Sequence, residues 1–565
     1  MNYNGCLKSI IICIGLFQFS SCTDFLKEDP KSTLPAETFF QSKTFVEAAV
    51  NNLYRGGPNN WANPSVFSGS HLMMGGWSSG MFDNLNFKGG GGEYHVSALQ
   101  NLNVTSYNID SKLWIIWNEP FIYISRANTL ITVLPGVDLP GTGMTEDDRK
   151  RYIAEAKFFR AYNYLYLVRH FGDVPLLTQP QNAADDLQVP RVDAKRIYDE
   201  IIIPDLQEAV RSLPVKAQYN NSMRITAAVA SAVLIDACMQ MAGFPLQDAS
   251  KWQMATTEAK KFLPGGVYAS LHSLCVNEDY EELSAYNQLR SVGVREASPG
   301  GRRTTSCSEF IYANEFLSGT ANANFSANAW PWSVSSLNQS ESLVRLTNNA
   351  YKPMPRYLAM YDEANDLRMK QNQFFADSFQ LKNGSWLPHP LNDTPSPYFY
   401  HDYGAVRVEN ASGRHFALYR LAEMYLNAAE CIAQTEGVTA QAVDALAAIR
   451  ARAYEYGGIA KNEIVAQLSA LSKEEFIEEV WLERYRELVF EFKDWNLIQR
   501  TRKYPKTNPM DNSIPVGTAQ FVDVTTVGTD FSIGKLFSVN NLLWPVPISQ
   551  MQLNPNLVQN PGYEL

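Results

Sequence analysis

The chain has 565 residues, of which 12% are aromatic and 19% are charged, below the roughly 25% of charged residues that is usual. A chain of this length can bury one large hydrophobic core or two. Its net charge is −10, and the sequence contains no stripe of basic residues. Both observations argue against nucleic acid as a partner, and against anionic lipid as a partner of the polypeptide itself.

Residues 1–21 have the three regions of a secretory signal peptide. Lys8 lies in a weakly basic start, residues 10–17 form an apolar run, and small residues follow, as in export signals. The apolar run is about half of the roughly 20 residues that a membrane-spanning helix needs. The sequence FSSC, which ends at Cys22, resembles a bacterial lipoprotein lipobox. This resemblance implies cleavage before Cys22 and a lipid on its thiol. Plain secretion and an uncleaved core helix are the alternatives.

The next stretch of the chain changes from a tether to a helix and then to a loop. Residues 22–38 are polar and acidic and are interpreted as a lipidated tether. Residues 39–54 are predicted to form the first helix. Gly, Asn and Ser dominate residues 55–110, which are interpreted as a loop inserted in an N-terminal helical region, residues 39–264. Long ordered loops are where binding sites are often found.

Helical patterns recur on both sides of the middle of the chain. They cover residues 111–134, 146–171, 194–213, 224–243 and 251–263, and then 414–436, 440–453 and 473–500. Residues 147–171 are apolar on nearly every face, so this helix is predicted to be packed on all sides. Short connections favour antiparallel helical hairpins, which are similar to tetratricopeptide repeats but lack a clean 34-residue period. A C-terminal region, residues 265–565, includes irregular loops at 265–413. The predicted fold class is mostly α.

Several polar residues lie in apolar helical patterns and are interpreted as buried. Cys238 and Cys431 are predicted to be buried thiols, and a disulfide framework would need many more cysteines in a chain this long. Arg160, inside the most apolar helix, is predicted to pair with a buried carboxylate. The charged residues between Glu483 and Glu491 are interpreted as a solvated or core-bracing ion network, not as a catalytic cluster.

The sequence has one match to a catalytic motif. Residues 76–80, GWSSG, fit G-x-S-x-G, but a nucleophile elbow needs a strand before its serine and a helix after it. Neither pattern flanks Ser78. The glycine run at 89–92 lacks the GK[ST] of a phosphate-binding loop, and the seven histidines show no HExxH or other metal spacing. We therefore predict neither catalysis nor a metal or other cofactor.

Five segments occur in a fixed order along the chain and together identify a family. They are TDFLKEDP after Cys22, AEAKFFRAYNYLYLVRHFGDVPLLT at 154–178, YRLAEMYLNAAE at 419–430 followed by the AAIRARA helix, WLERYRELVFEFKDWNLIQR at 481–500, and WPVPISQMQLNPNLVQNPGY at 544–563. In this order they resemble the SusD/RagB family of Bacteroidetes outer-membrane lipoproteins. They span nearly the whole mature chain.

The resemblance implies a mostly α, SusD-like fold in which tetratricopeptide-like helical hairpins support a loop-rich variable region. It also implies a lipid-anchored protein that faces the cell surface from the outer membrane. Such a protein binds an oligosaccharide and delivers it to a SusC-like TonB-dependent transporter, on which it sits as a lid. Neither catalysis nor a cofactor is implied. A peptide-binding lid of the RagB type is the first alternative, and a surface glycoside hydrolase is the second.

The ligand site is expected in two aromatic-rich, irregular stretches, residues 77–94 and 325–332. A binder of neutral sugars needs flat aromatic faces together with a few amide or carboxyl groups, and both stretches supply these residue types. Because SusD-like proteins build their ligand surface from loops at comparable places, the resemblance points to Trp77, Phe82, Asn84, Trp330 and Trp332. The alternative for each tryptophan is that it packs in the core, as aromatic residues usually do.

Overall fold

The structure of the protein, a computed structural model, describes most of the chain between residues 40 and 563. The described residues are 40–55, 75–83, 98, 99, 102–105, 108, 110–180, 188–216, 224–291, 308–315, 352–380, 385–388, 395–399, 401, 414–527 and 537–563. The predicted signal peptide, the tether with Cys22, and the predicted site residues Asn84, Trp330 and Trp332 lie outside the described residues.

The N-terminal half is helical. Its helices are α1 (Lys43–Leu53), α2 (Asp110–Val133), α3 (Leu139–Thr142), α4 (Glu146–Phe171), α5 (Ala194–Ile197), α6 (Ile203–Ser212), α7 (Ala227–Ala242) and α8 (Lys251–Ala259). A π-helical turn, Tyr198–Ile202, joins α5 to α6, and 3-10 turns lie at Leu134–Gly136 and Lys260–Phe262. The helices predicted for this half are confirmed, with ends that differ by a few residues.

Helix α4 shows how local sequence fixes both ends of an element. The Thr145 hydroxyl accepts a hydrogen bond from the Asp148 N–H, and the Asp148 carboxylate accepts one from the Thr145 N–H. This capping box satisfies two donors that the first turn leaves unpaired. Gly172 ends the helix with a φ of 70°, which glycine adopts without strain. Helices α2, α6 and α7 pack against α4, so it is buried on most faces, as its sequence predicts.

The C-terminal half contains a second group of helices. They are α9 (Ala285–Ser291), α10 (Pro355–Leu358), α11 (Leu421–Glu436), α12 (Ala440–Tyr454), α13 (Lys461–Ser469), α14 (Lys473–Glu487), α15 (Asp494–Thr501) and α16 (Ile548–Leu553). Short 3-10 turns lie at Leu367–Met369, Glu455–Gly457, Val524–Thr526 and Val539–Leu542. Within the described part of the chain, no helix is both long enough and apolar enough to cross a membrane.

Two helix predictions in this half are wrong in part. The helix expected at 414–436 begins only at Leu421, because the residues before it form a strand. The helix expected at 473–500 is two helices, and the turn between them contains Phe492 with a φ of 55°. A positive φ is incompatible with the right-handed helical backbone, so the helix cannot continue through this residue. Helices α9, α10, α13 and α16 are absent from the prediction.

Short antiparallel strand pairs connect the helices. The strands are β1 (Phe82–Asp83), β2 (Val174–Pro175), β3 (Arg191–Val192), β4 (Phe310–Asn314), β5 (Lys352–Pro353), β6 (Phe375–Ala376), β7 (Ser378–Gln380), β8 (Trp386–Pro388), β9 (Ser396–Pro397), β10 (Phe416–Arg420), β11 (Lys503–Lys506) and β12 (Gln520–Asp523). They pair as β1–β5, β2–β3, β4–β10, β6–β9, β7–β8 and β11–β12, so each described sheet has two strands. Sheets this small leave the core to the helices, and the mostly α class is confirmed.

Helices that are neighbours along the chain pack on one another around a single hydrophobic core. Helix α2 packs on α4, α6 on α4 and α7, α7 on α8, α11 on α12 and α14, and α12 on α13, in agreement with the predicted helical hairpins. Helices α8 and α11 join the two halves, and there the Thr256 hydroxyl donates to the Cys431 carbonyl at 2.9 Å. The buried hydrophobic residues of the described chain form one core cluster, whose members range from Val46 to Leu557. The division at residue 264 stays a prediction.

Arginine and carboxylate side chains form an ion network inside the C-terminal half. The fully buried Arg420 lies 2.7 Å from Glu309, 2.7 Å from Glu487 and 2.6 Å from Glu491. Burial raises the pKa of Glu309, but the charges of Arg452 and Arg420 outweigh burial and hold this pKa at about 2. The carboxylate therefore stays ionised in the core. The charged residues of α14 thus belong to an ion network that braces the core. Of the two forms predicted, the core-bracing one is found, and the network is buried rather than solvated.

The other polar residues interpreted as buried also have the expected environment. The Arg160 guanidinium makes two hydrogen bonds to the Asp205 carboxylate, at 2.7 and 3.0 Å, which confirms the predicted pairing. Cys238 and Cys431 are free, buried thiols, as predicted. Cys275 is disulfide-bonded, which the sequence analysis does not anticipate, and its partner lies outside the described residues.

Candidate functional site

Two of the predicted ligand contacts, Trp77 and Phe82, are buried. Their side chains are 4% and 1% exposed and belong to the hydrophobic core. The Phe82 ring centroid lies 5.3 Å from that of Tyr357 and 5.6 Å from that of Phe492, which is the spacing of packed aromatic pairs. Rings enclosed in this way present no face to a sugar. The expectation that Trp77 and Phe82 contact ligand is corrected accordingly, and both side chains pack in the core.

These two side chains belong to a tight turn, residues 75–83, that packs against the start of α15. Residues 75–78 are helical, so this part of the predicted 55–110 loop has regular structure. A Cβ atom added at Gly76 would lie 2.7 Å from the Phe492 ring, closer than two carbon atoms can approach without repulsion. Only glycine therefore fits at this position without moving the phenylalanine.

The G-x-S-x-G residues lie in the same turn. The Ser78 side chain is buried. The Ser79 hydroxyl donates to the Asp494 carboxylate, and its oxygen lies 2.8 Å from the Gly76 carbonyl oxygen. A nucleophile elbow presents its serine at an exposed strand-to-helix turn. Because both serines face the interior, this motif contributes to packing.

Asp494 is a residue of this region that sequence reasoning missed. It is the first residue of α15, and its carboxyl is buried. Burial raises the pKa of this carboxyl to about 6, although hydrogen bonds from Ser79 and from nearby backbone N–H groups oppose the shift. A carboxyl with a pKa of about 6 therefore lies at the contact between the 75–83 turn and the C-terminal half. Asp494 lies 415 residues from Ser79 in the chain, so no local sequence pattern could reveal this contact.

Strands β1 and β5 bring together two segments that are distant in the chain, residues 82–83 and 352–353. Phe82 pairs with Pro353 and Asp83 with Lys352 in antiparallel register, and the Met354 N–H donates to the Met81 carbonyl at 2.9 Å. The chain therefore leaves this pair after Asp83 and returns to it at Lys352, at the same end.

A polar cleft of about 80 Å³ lies between α4, α7, β10 and α15. Its charged groups are paired: Arg169 lies 2.5 Å from Asp236, and Lys493 forms an ion pair with Glu423. The Tyr419 hydroxyl donates to Asp236 at 2.7 Å. Burial raises the pKa of Asp236, but Arg169 outweighs burial and holds this pKa at about 2. Arg169, Asp236, Lys493 and Glu423 are thus paired with one another.

The size and lining of this cleft suit ordered water better than an oligosaccharide. Sites for drug-sized ligands measure roughly 300–1,000 Å³, and a buried water needs only roughly 10–15 Å³ together with two to four polar partners. Several lining atoms have no hydrogen-bond partner among the described residues, including Arg169 Nε, Gln240 Oε1, Glu491 Oε2 and Trp495 Nε1. No group of three His, Cys, Asp or Glu side chains within the described ranges could hold a metal ion.

Comparison with protein families gives two matches that lie at opposite ends of the chain. The family model described as "SusD family" matches residues 398–563. A second family model, described as "Starch-binding associating with outer membrane", matches residues 24–235. SusD-like protein P25 of Formosa agariphila is 22% identical to this chain over 99% of each protein. SusD-like protein P2 of the same organism is 23% identical over 87% of this chain and 90% of the relative.

Solved structures show the same fold over almost the whole length. A SusD superfamily protein from Parabacteroides distasonis has a TM-score of 0.73 and 24% identity, and the match covers 94% of this chain and all of that one. Surface glycan-binding protein A from Bacteroides uniformis has a TM-score of 0.65 at 19% identity, over 93% of this chain and 100% of that chain. A laminarin binding SusD-like protein has a TM-score of 0.63 at 20% identity, over the same shares. The predicted SusD-like fold is confirmed.

Proposed function

The chain belongs to the SusD/RagB family, and on this basis we propose that it is a lipid-anchored glycan-binding protein of the outer-membrane surface. It binds an oligosaccharide and delivers it to a SusC-like TonB-dependent transporter. The observation that carries the proposal is the pair of family matches, which together cover both ends of a chain whose fold agrees with SusD superfamily structures. One of the two matching families is described as starch-binding, which supports carbohydrate as the ligand class.

The proposed ligand surface includes residues 84–94, which follow β1 in the chain, and residues 325–332, which precede β5. Asp83 and Lys352 are paired on a base in which the Phe82 ring packs against Tyr357 and Phe492. A rigid base lowers the conformational entropy that the loops lose when a ligand binds. Asn84, Trp330 and Trp332 stay the proposed contacts, with the amide directed to sugar hydroxyls and the indoles to the apolar faces of the rings.

The proposed anchor is a lipid on Cys22. The match to the outer-membrane family begins at residue 24, two residues after Cys22, before which the signal sequence is expected to be cut. This start supports Cys22 as the first residue of the mature protein. A single acyl chain gives only marginal membrane binding, so stable attachment requires more than one chain or a second contact, which a transporter in the same membrane would provide.

Binding without catalysis is the proposed activity. The G-x-S-x-G serines are buried or hydrogen-bonded inside the 75–83 turn, and charged residues of α14 are ion-paired in the core. A lid that releases its ligand to a transporter needs moderate affinity and a fast dissociation rate rather than chemistry.

The test is a binding screen of the mature protein against neutral oligosaccharides of starch and laminarin, anionic oligosaccharides and a peptide pool. We expect saturable binding to at least one glycan and unchanged glycan chains after prolonged incubation. Binding to peptides alone would replace the proposal with the peptide-binding alternative. Shortened glycan chains would replace it with the hydrolase alternative.

A further inference from the structure

Two exposed tyrosines from distant parts of the chain lie side by side. The Tyr280 and Tyr456 side chains are 54% and 48% exposed, and their ring centroids are 5.7 Å apart with 58° between the ring planes. Tyr280 lies in a loop before α9, and Tyr456 lies in the 3-10 turn Glu455–Gly457 that follows α12. Single exposed apolar residues are common, but adjacent ones form a patch of the kind that marks an interaction site.

The loop that carries Tyr280 is held against the end of α12. The Asn277 side-chain amide donates to the Arg452 carbonyl and to the Glu455 carboxylate, at 2.8 Å in each case. The Asn277 side-chain oxygen in turn accepts from the Ala285 N–H at 2.8 Å. One asparagine thus connects both segments, and this connection places the two tyrosine rings next to each other.

The backbone at each tyrosine is also fixed. The Gln373 side chain, which is buried, donates to the Tyr280 carbonyl at 3.0 Å. On the other side, a Cβ atom added at Gly457 would lie 2.5 Å from the Asn365 carbonyl oxygen, so the turn after Tyr456 packs directly on its neighbour. Rings that are held in place before binding lose little conformational entropy on contact with a ligand.

The surroundings of the pair are acidic. Glu278, Glu281 and Glu455 are exposed beside the two rings in sequence. A hydrogen bond with Glu281 raises the pKa of the Tyr280 phenol above 10.0, so the ring is neutral at physiological pH. Carboxylates accept hydrogen bonds from hydroxyl groups and repel anions. The site therefore combines aromatic faces with hydrogen-bond acceptors and disfavours sulfated or carboxylated ligands.

We propose that Tyr280 and Tyr456 form a binding site for an uncharged oligosaccharide, in addition to the contacts proposed for residues 325–332. The inference rests on the proposed function and narrows its ligand class. The two inclined rings contact successive sugars of one chain through their apolar faces, and the neighbouring carboxylates accept hydrogen bonds from the sugar hydroxyls.

The test compares three forms of the mature protein by calorimetric titration with the neutral starch and laminarin oligosaccharides. The double variant Tyr280→Ala/Tyr456→Ala removes both rings, and Tyr280→Phe/Tyr456→Phe keeps both faces. We expect the alanine variant to bind roughly 10-fold more weakly and the phenylalanine variant to bind within about threefold of the wild type. The matched control is Trp114→Ala, an exposed aromatic residue of α2 with 42% exposure, which should bind like the wild type.

The outcomes separate this inference from the proposed function. If the wild type binds a neutral glycan and the alanine variant binds it equally well, the tyrosine site is wrong and the proposed function stands. If the wild type binds no glycan, the proposed function is wrong and the inference falls with it. Equal losses in the alanine and phenylalanine variants would also contradict stacking. Melting curves show whether each variant is folded. We expect all of them to be folded, because substitutions of exposed residues usually change stability by less than about 0.5 kcal/mol.

Discussion

The hydroxyl of Ser79 is hydrogen-bonded to the buried carboxyl of Asp494, which lies 415 positions further along the chain. This contact connects the turn at 75–83, where one proposed ligand loop begins, to the first residue of α15. Burial raises the pKa of the Asp494 carboxyl from 3.8 to about 6. The contact is therefore both a link between the two halves and a source of pH dependence.

Replacing Asp494 with Asn should remove part of the pH dependence of the free energy of unfolding. Between pH 3.8 and about 6 the folded carboxyl keeps a proton that the unfolded carboxyl has released, so the stability of the wild type falls as pH rises through this window. A shift of about 2 pKa units corresponds to roughly 3 kcal/mol. Urea unfolding across the window should show the wild type losing about this much relative to Asp494→Asn. A difference between the two proteins that stays constant with pH would contradict the raised pKa.

Replacing Arg420 with Ala should strongly destabilise the protein. Its guanidinium pairs with Glu309, Glu487 and Glu491 and is fully buried, so the variant leaves three carboxylates without this partner in the core. Removing one partner of a buried ion pair costs roughly 3–5 kcal/mol. The measurement is the free energy of unfolding in urea.

A matched control for Arg420→Ala is available on the surface. Arg196 pairs with Glu200 at 2.7 Å, and both side chains are about half exposed. Arg196→Ala should change stability by less than about 1 kcal/mol, because exposed pairs contribute little. Similar effects of the two substitutions would show that the buried network does not brace the core.

Trp77→Ala and Trp330→Ala should have opposite effects. Trp77 is buried in the core, so its loss should cost roughly 3–5 kcal/mol of stability. Trp330 is a proposed sugar contact, and its loss should weaken glycan binding roughly 10-fold while the melting temperature barely changes. Melting curves and calorimetric titration of both variants distinguish the two roles. A large fall in the melting temperature of Trp330→Ala with unchanged glycan affinity would remove Trp330 from the site.

Cys22→Ala should release the protein from the membrane fraction, because the thiol of Cys22 is the proposed site of lipid attachment. Multiple acyl chains anchor a protein stably, whereas an unlipidated chain depends on its partners. The measurement is fractionation after a high-salt wash, in a strain without the transporter. Persistence of Cys22→Ala in the outer membrane under these conditions would rule out the lipidation proposal.

Local patterns predict much of this fold. Helix α4 begins and ends where its capping box and Gly172 require, and both signals can be read from the sequence. The strand β10 was missed because its residues are apolar on both faces and continue directly into α11. A fully buried strand of this length cannot be told from the start of a buried helix by periodicity alone.

The site is less predictable than the fold because it depends on contacts between distant segments. Trp77 and Trp330 lie in stretches that are both rich in aromatic residues, and no local signal shows that Trp77 is enclosed by the core. The pairing of Asp83 with Lys352 and the contact of Tyr280 with Tyr456 both join segments more than a hundred residues apart. Such pairs can be recognised only once the packing of the helices that position them is known.

Glycan binding by the mature wild-type protein is the measurement that tests the central claim most directly. Calorimetric titration with the starch and laminarin oligosaccharides, with the peptide pool as the parallel titrant, reports affinity and stoichiometry without assuming which loop is involved. The account predicts saturable binding of a neutral oligosaccharide, no binding of the peptide pool, and glycan chains of unchanged length afterwards. Binding of peptides with no response to any glycan would contradict it.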